Sequence, residues 1–222
     1  MTYEIIATGS SGNAVLINDA ILIDCGVSWK KLDPYAKQIR LVLLTHEHGD
    51  HFKPSTVRAL HRERPAVRFG CCEWMVKPLV DAGVDKRVIC VMNPYGEPPD
   101  VAGWLYNGIG VVRPQFIPHN VPNCAWHICI SEDGKTGTDI FYATDTSSLD
   151  AVEAKNYGYY FIENNHERAE IEARIASKQA SGEYAYEIEA MRNHLSREQA
   201  EDWLAQNMGA NSKYVFLHQH QD

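Results

Sequence analysis

The 222-residue sequence lacks the features that define several large protein classes. It has no apolar run near the ~20 residues that a membrane-spanning helix needs. Its first residues, MTYEIIATGS, do not join a basic segment to an apolar one as a signal peptide does. It contains no Gly/Ser-rich linker, low-complexity tract or internal repeat. We therefore expect one globular domain over residues 1–222, located in the cytoplasm and without a membrane partner.

Positive charge and paired cysteine motifs are also scarce. The formal net charge is -8, which argues against a general electrostatic attraction to nucleic acid, although bound divalent cations would reverse the sign locally. No Cys-x-x-Cys pattern occurs, so we expect reduced, mostly buried thiols rather than a disulfide framework. The six cysteines are Cys25, Cys71, Cys72, Cys90, Cys124 and Cys129.

Short apolar runs separated by Gly, Asn and Asp predict many strands. The segments YEIIAT, AVLIN, AILIDCG, LVLLT, VRFGC, VICV, GYYFIEN and KYVFL each indicate one strand. Two further segments predict hairpins, GWLYNGIGVVRPQFIPH with its turn at Asn107-Gly108, and AWHICISEDGKTGTDIFYATD. The strands dominate the first two thirds of the chain.

Helices are predicted between the early strands and over most of the last third. SWKKLDPYAKQIR would begin a helix at Ser28 that Pro34 interrupts. PSTVRALHRER and CEWMVKPLV are also helical in pattern. In SREQAEDWLAQNMG, Ser196 and Gln199 predict a capping box, and Gly209 predicts a stop after the helix.

Isolated polar residues repeatedly follow an apolar strand. His46 and His48 follow LVLLT, and His119, Asp145 and His218 each end a later strand. A sandwich of two sheets with helices outside would bring these strand ends to one rim.

The segment LVLLTHEHGDH concentrates four possible metal ligands in six positions. His46 and His48 are two residues apart, so on a continued strand they point the same way. One tetrahedral zinc rarely takes four ligands from a single loop, so His46, His48, Asp50 and His51 suggest a pair of metals. Such a pair needs a bridging carboxylate and further histidines from elsewhere in the chain.

THEHGDH resembles the H-x-H-x-D-H signature of the metallo-β-lactamase superfamily. ILIDCG, with Asp24, precedes it, and His119, Asp145 and His218 follow in the expected order. The resemblance implies an α/β fold, a four-layer αββα sandwich with two metals at the rim of the sheets. It assigns one metal to His46, His48 and His119, the other to Asp50, His51 and His218, and the bridging position to Asp145.

The implied chemistry is hydrolysis by a hydroxide that bridges two divalent ions, because such ions lower the pKa of a shared water toward ~7. Asp50, beside this water, is an expected catalytic residue. True β-lactamases of the superfamily commonly place a cysteine where this chain has Asp145. A carboxylate suits manganese as well as zinc, so we expect two divalent ions, Zn or Mn.

Three segments resemble a particular branch, the YycJ/WalJ group of phosphodiesterases and exonucleases. ATGSSGNAVLI is similar to its S-G-S-S-G-N opening, FIENNHERAEI to its E-S-N-H-D segment, and NHLSREQA to its G-H-L-S-N-E-D-A segment. The resemblance implies a phosphodiester substrate, such as single-stranded DNA ends, and a catalytic role for His194 at the phosphoryl group. Alternatively, the segment only caps the helix through Ser196.

The chain also departs from that branch. Asn120 replaces an aspartate, Asn193 replaces a glycine, and the tail LHQHQD is shorter and offers His220 as a second candidate in place of His218. Two alternatives stay open, a thioesterase of the glyoxalase II kind, which uses the same seven ligands, and a non-catalytic metal-binding protein. Glu163 and His166 are equally compatible with orienting ligands or with ordinary polar positions.

The remaining polar features have simpler interpretations. His61 and His127 are expected to be core histidines satisfied by hydrogen bonds, as most buried histidines are. The GSSGN turn permits a phosphate contact, but a plain hairpin turn explains the same residues. The sequence carries no signal for the oligomeric state.

Overall fold

The computed structural model describes residues 1–95, 104–106, 110–131 and 137–218, with only the backbone of 104–106. Two six-stranded sheets form its centre. In the first sheet, spatial order follows chain order: β1 (Tyr3–Ala7), β2 (Ala14–Ile17), β3 (Ile21–Ile23), β4 (Leu41–Leu43), β5 (Arg68–Cys71) and β6 (Ile89–Val91). Its first two pairings are antiparallel and its last three are parallel.

The second sheet is also mixed. Its spatial order is β12 (Lys213–Leu217), β11 (Tyr159–Glu163), β10 (Gly137–Ala143), β9 (Asn123–Ser131), β8 (Gly110–Ile117) and β7 (Trp104–Tyr106). The pairings of β12 with β11 and of β11 with β10 are parallel, and the others are antiparallel. The predicted turn at Asn107-Gly108 lies outside the described residues.

Helices follow the first sheet's parallel strands and gather late in the chain. They are α1 (Trp29–Leu32), α2 (Pro54–Glu63), α3 (Val76–Asp81), α4 (Arg168–Ser181), α5 (Glu187–Asn193) and α6 (Arg197–Asn207). Among the described residues, no helix is both long and apolar enough to cross a bilayer.

The alternation of side chains along each strand builds the layers. In β2, Val15 and Ile17 pack in a cluster that contains Trp126 and Ile128 of the second sheet, so this cluster fills the space between the sheets. Leu16, between them in sequence, points to the opposite face of its sheet. This period of two is the geometry of a strand buried on both faces.

The outer face of each sheet is covered by helices. Leu32 of α1, Val57 of α2 and Leu79 of α3 pack in the cluster on the first sheet. Trp203 and Leu204 of α6 pack in the cluster on the second. The order helix, sheet, sheet, helix confirms the predicted four-layer αββα sandwich.

Most local predictions agree with the structure, with one correction. As expected, α1 stops at Leu32, and Pro34 lies in the 3-10 turn that follows. The capping box of α6 is present. Helix α6 ends at Asn207 with Met208 as its C-cap, so Gly209 follows the helix as predicted, but it lacks the left-handed backbone that glycine commonly has there. Its small size matters instead, because a Cβ there would lie 2.7 Å from Asn156 Oδ1.

All six cysteines are free thiols in the structure, and four of them are buried. Burial, together with the neighbouring charge of Asp24, raises the pKa of the Cys25 thiol to about 12. These thiols therefore behave as small apolar core residues, as predicted.

Candidate metal centre

Polar side chains from both sheets converge at the carboxyl ends of their strands. Asp24 follows β3, His46 lies in the loop after β4, and His119 and Asp145 lie just beyond β8 and β10. Glu163 ends β11, and His218 directly follows β12. Strands that lie between residues 21 and 217 therefore bring polar side chains to one rim of the sandwich, as the sequence predicted.

Three histidine ring nitrogens form the first donor group. His48 Nδ1 lies 3.1 Å from His46 Nε2 and 3.3 Å from His119 Nε2. A single proton on His48 Nδ1 cannot satisfy both neighbours. Bonds of about 2.0–2.1 Å to a tetrahedral zinc would place adjacent ligand atoms about 3.3 Å apart, so the spacing of the three nitrogens suits one shared cation.

The second donor group adjoins the first. Its members are Asp50, His51, Asp145 and His218. His51 Nε2 lies 3.6 Å from Asp50 Oδ2, and His218 Nε2 lies 3.7 Å from the same oxygen.

Asp145 belongs to both donor groups. Its Oδ2 lies 3.3 Å from His46 Nε2 and 2.8 Å from His51 Nε2. One carboxylate oxygen thus faces both groups, which is the position that a bridging ligand needs. The structure brings together all seven predicted ligands, and their coordination of metal remains a prediction.

The charges of the site favour cations. Asp24 and Glu163 are fully buried, and Asp145 is 2% exposed. Burial alone would lower the pKa of His51, but Asp145 and Asp24 raise it to about 10. Burial would also lower the pKa of His218, but Asp145 holds that pKa well above its usual value. A cation and a proton compete for the same ring nitrogens, so divalent ions would replace these protons.

The first group has a different electrostatic character. Burial lowers the pKa of His119 to about 4, and nearby His46 adds to the effect. Burial and the charge of His51 also lower the pKa of His46. Neutral imidazole is the form of histidine that binds metals, so these two rings are already in the required state.

Further side chains orient the candidate ligands. Asp24 Oδ2 lies 2.7 Å from His51 Nδ1, which leaves Nε2 facing the second donor group. Thr45 donates through its backbone N–H and hydroxyl to Asp24 Oδ1. His119 Nδ1 lies 3.1 Å from the carbonyl oxygen of Asn193. Hydrogen bonds of this kind fix the tautomer of a ligating histidine.

The GSSGN turn packs against the loop that carries the THEHGDH segment, called here the signature loop. Asn13 is buried, and its backbone N–H donates to the carbonyl oxygen of Asp50. Its side-chain amide lies 3.3 Å from Asp50 Oδ2 and 2.8 Å from His51 Nε2. The following loop is equally close, because a Cβ on Gly26 would lie 1.7 Å from the Asp50 carbonyl oxygen. The turn therefore holds the signature loop in position through Asn13.

Glu163 joins the site to the carboxyl-terminal helices. Its Oε1 lies 2.5 Å from His194 Nδ1 and 3.0 Å from His218 Nδ1. Its Oε2 accepts hydrogen bonds from the backbone N–H groups of Thr146 and Leu195. Burial would raise the pKa of Glu163, but His194 and His218 lower it. Sequence analysis did not favour either role for Glu163, and in the structure its buried carboxylate contacts two histidines.

Three residues at the strand ends have left-handed backbone. The φ angles are 60° at Asp24, 55° at Asp145 and 54° at His218. Residues other than glycine are uncommon there, although Asp and His adopt this region more often than most. The conformation turns the chain sharply after each strand, at a cost of about 1–2 kcal/mol per residue.

A cavity of about 230 Å³ opens over the donor groups. Its wall includes members of both donor groups and His194, together with Ser10 of the GSSGN turn. His194 is 18% exposed, so a bound molecule could reach its ring. Burial would lower the pKa of His194, but Glu163 raises it above the usual value.

The other histidines of the prediction lie elsewhere. His61 Nε2 accepts a hydrogen bond from the backbone N–H of Asp85. His127 is buried between Tyr157 Oη, at 2.9 Å, and Gln115 Oε1, at 2.7 Å. Both are hydrogen-bonded polar residues of the fold, as expected. His166 lies 3.4 Å from Asn165 Oδ1 and belongs to neither donor group, and His220 lies outside the described residues.

Sequence comparisons identify a family and partial relatives of this chain. A model of the metallo-beta-lactamase superfamily matches residues 7–134. Exodeoxyribonuclease WalJ of Streptococcus pneumoniae serotype 2 is 37% identical over 59 residues, covering 22% of each chain. Exodeoxyribonuclease YycJ of Bacillus anthracis is 33% identical over 73 residues, covering 28% of each chain. The matched stretches thus span well under two thirds of these relatives.

Solved structures share the fold over nearly the whole chain. Human tRNase Z, short form, has a TM-score of 0.71 at 14% identity, covering 100% of this chain and 93% of that one. The metallo-beta-lactamase fold protein YhfI from Bacillus subtilis has a TM-score of 0.68 at 15% identity, covering 99% and 87%. Because the family model spans more than half of the sequence, this chain belongs to the metallo-β-lactamase superfamily.

Proposed function

We infer that this chain is a dinuclear metal-dependent hydrolase that cleaves phosphodiester bonds, with ends of single-stranded DNA as substrate. The observation that carries this inference is the pair of Glu163 and His194 beside the two donor groups. The partial similarity to two exodeoxyribonucleases supports DNA as the substrate class. The core shared by the two sheets supports one domain over residues 1–222.

The ligand sets follow the two donor groups. His46, His48 and His119 would hold one ion, and Asp50, His51 and His218 the other, with Asp145 between them. Two bound divalent ions, Zn or Mn, would supply an activated water and polarise the phosphoryl oxygens. Asp50 lies at the edge of the cavity, where it is also positioned to contact the reacting water.

His194 would act on the phosphoryl group. Glu163 holds its Nδ1, so Nε2 is the nitrogen left for a substrate in the cavity. Glu163 raises the pKa of His194, which favours the doubly protonated ring, the form in which Nε2–H can donate. That donor would stabilise charge on a non-bridging oxygen or protonate the leaving oxygen. Glu163, which does not reach the substrate, would act as a positioning residue.

The test uses protein loaded with Mn²⁺ or Zn²⁺. It should release p-nitrophenol from bis-p-nitrophenyl phosphate and shorten 5′-labelled single-stranded DNA. His194→Ala should lower kcat for both substrates by about 10²–10⁴-fold, the usual contribution of a general acid or base. His61→Gln is the matched control, since it replaces a histidine remote from both donor groups and should leave both rates unchanged.

Two outcomes would contradict the inference. Loaded wild-type protein that releases neither product is not a phosphodiesterase of this kind. If it instead cleaves S-lactoylglutathione, and His194→Ala leaves that rate intact, the thioesterase alternative is correct. Elemental analysis of the loaded protein should give about two metals per chain. One tightly held, fully coordinated metal would favour the non-catalytic alternative.

A further inference from the structure

A second cavity of about 230 Å³ adjoins the one over the donor groups. It lies among α4, α5 and the segment after β11. Asn165, Tyr186 and Ala190 line both cavities, so the two lie side by side and share part of a wall. A molecule bound at the donor groups could therefore extend into the second cavity.

Tyr186 lies at the junction of the two cavities and is held in place. Lys178 Nζ lies 3.9 Å above the centre of its ring, a cation–π contact. The same ammonium group lies 2.6 Å from Glu187 Oε1, which fixes it between the two residues. Tyr186 remains 49% exposed, so much of the ring is open to a ligand. A fixed, half-exposed aromatic ring is a stacking surface.

Glu187 offers an unused acceptor in the same cavity wall. The residue is 4% exposed. Lys178 occupies its Oε1, but Oε2 is buried and has no hydrogen-bond partner among the described residues. A buried carboxylate oxygen without a donor is costly, so a ligand that brings an N–H group would be favoured here.

The charge and size of the cavity limit what it can hold. Arg174 and Arg197 line it together with Glu167, Glu170 and Glu187, so the formal charge of the wall is not positive. A phosphate group would meet three carboxylates there. The volume is below the roughly 300–1,000 Å³ of sites for drug-sized ligands, so the cavity has room for a single ring system. An uncharged, planar heterocycle with an N–H donor meets all these conditions.

Resting on the proposed function, we propose that this second cavity is a nucleobase subsite. It receives the base of a nucleotide adjoining the scissile phosphodiester, which stacks on Tyr186 and donates an N–H to Glu187 Oε2. The subsite selects nucleoside phosphodiesters over esters that carry no base. The subsite contacts the base and the metal centre contacts the phosphodiester, so their contributions to binding add.

Chromogenic esters with and without a nucleoside test the proposal. The substrates are thymidine 5′-(p-nitrophenyl phosphate), thymidine 3′-(p-nitrophenyl phosphate) and methyl p-nitrophenyl phosphate, with Mn²⁺-loaded protein. At least one thymidine ester should have a KM about tenfold lower than the ester without a base. That ratio corresponds to about 1.4 kcal/mol, within the range of base–aromatic stacking. The preferred ester also reveals on which side of the phosphate the base lies.

Substitution of Tyr186 should remove this preference. In Tyr186→Ala, the KM advantage of the thymidine ester should disappear, whereas Tyr186→Phe should keep it, because stacking needs the ring and not the hydroxyl. Tyr184→Ala is the matched control, since Tyr184 lies in the same loop, is 79% exposed and lines neither described cavity. A preference that survives in Tyr186→Ala, or that is absent from the wild type, would overturn the subsite.

Binding separates the subsite from the proposed function. Calorimetry with thymidine 5′-monophosphate should detect binding to the wild type and an affinity about tenfold weaker in Tyr186→Ala. If no phosphodiester is hydrolysed but this difference is found, the proposed reaction fails and the base subsite stands. If hydrolysis occurs but the two proteins bind the nucleotide equally, the subsite fails and the reaction stands.

Discussion

Gly26→Ala should disable the second donor group without touching any of its side chains. A Cβ at residue 26 would lie 1.7 Å from the Asp50 carbonyl oxygen, 2.1 Å from its carbonyl carbon and 2.7 Å from the His51 backbone nitrogen. All three atoms belong to the backbone, so no side-chain rotation relieves the contact. Since Cβ atoms essentially never approach closer than 3.0 Å, the loop carrying Asp50 and His51 must move by more than 1 Å.

A movement of that size has calculable consequences. Metal–ligand distances tolerate only about 0.2 Å, so the ion at Asp50 and His51 should be lost. A misplacement of about 1 Å costs about 10²-fold in rate, and overpacking costs about 1–3 kcal/mol in free energy of unfolding. We expect metal content to fall from about two ions per chain to about one. Elemental analysis, urea denaturation and hydrolysis of bis-p-nitrophenyl phosphate measure the three effects.

Gly49→Ala is the matched control, because Gly49 lies in the same loop and a Cβ there would have no neighbour within 4 Å. It should retain both metals and most of the stability. If Gly26→Ala instead binds two metals and turns over like the wild type, the close contact between the two loops does not determine the site, and the reasoning fails.

Other predictions concern the fold and the cations. Burial lowers the pKa of His127 to about 3, so this histidine takes up a proton on unfolding at pH 5. The free energy of unfolding should therefore fall by about 2 kcal/mol between pH 7.5 and pH 5. Urea denaturation of His127→Gln should show a decrease that is smaller by about 2 kcal/mol over the same pH range. Asn207→Ala leaves the buried N–H of Ala154 without its acceptor and should cost about 1–3 kcal/mol, measured by the same method. Removal of metal by a chelator should abolish hydrolysis and lower Tm, because ions that bind only the folded state stabilise it, and an unchanged Tm would contradict metal binding at this site.

Much of the rim was predictable because each of its residues directly follows an apolar strand. His119, Asp145 and His218 were identified in this way, and the structure brings them to the signature loop. The role of Glu163 was not predictable, since the sequence does not show that His194 and His218 both turn toward β11. The backbone of Gly209 differs from the expected left-handed conformation for a related reason.

Contacts between segments that are distant in the chain account for the features that sequence analysis did not predict. Gly209 is small because Asn156 lies against it, 53 positions earlier in the chain. Asn13 approaches Asp50 across 37 positions, and Gly26 approaches the same loop. Local propensity does not encode such pairs, because they depend on how finished layers pack. The cavity beside Tyr186 is likewise formed by two helices and a loop that show no shared pattern in sequence.

The left-handed backbone of Asp145 and His218 bears on any attempt to engineer this protein. Glycine adopts that conformation freely and would relieve a penalty of about 1–2 kcal/mol, but at either position it would also break the buried contact between Asp145 and His218, which costs more. Selection for heat resistance alone therefore tests the backbone strain and the ion pairs of these residues together, but it does not test turnover. Libraries of this protein should be screened for turnover after each heat challenge, so that robust but inert clones are discarded.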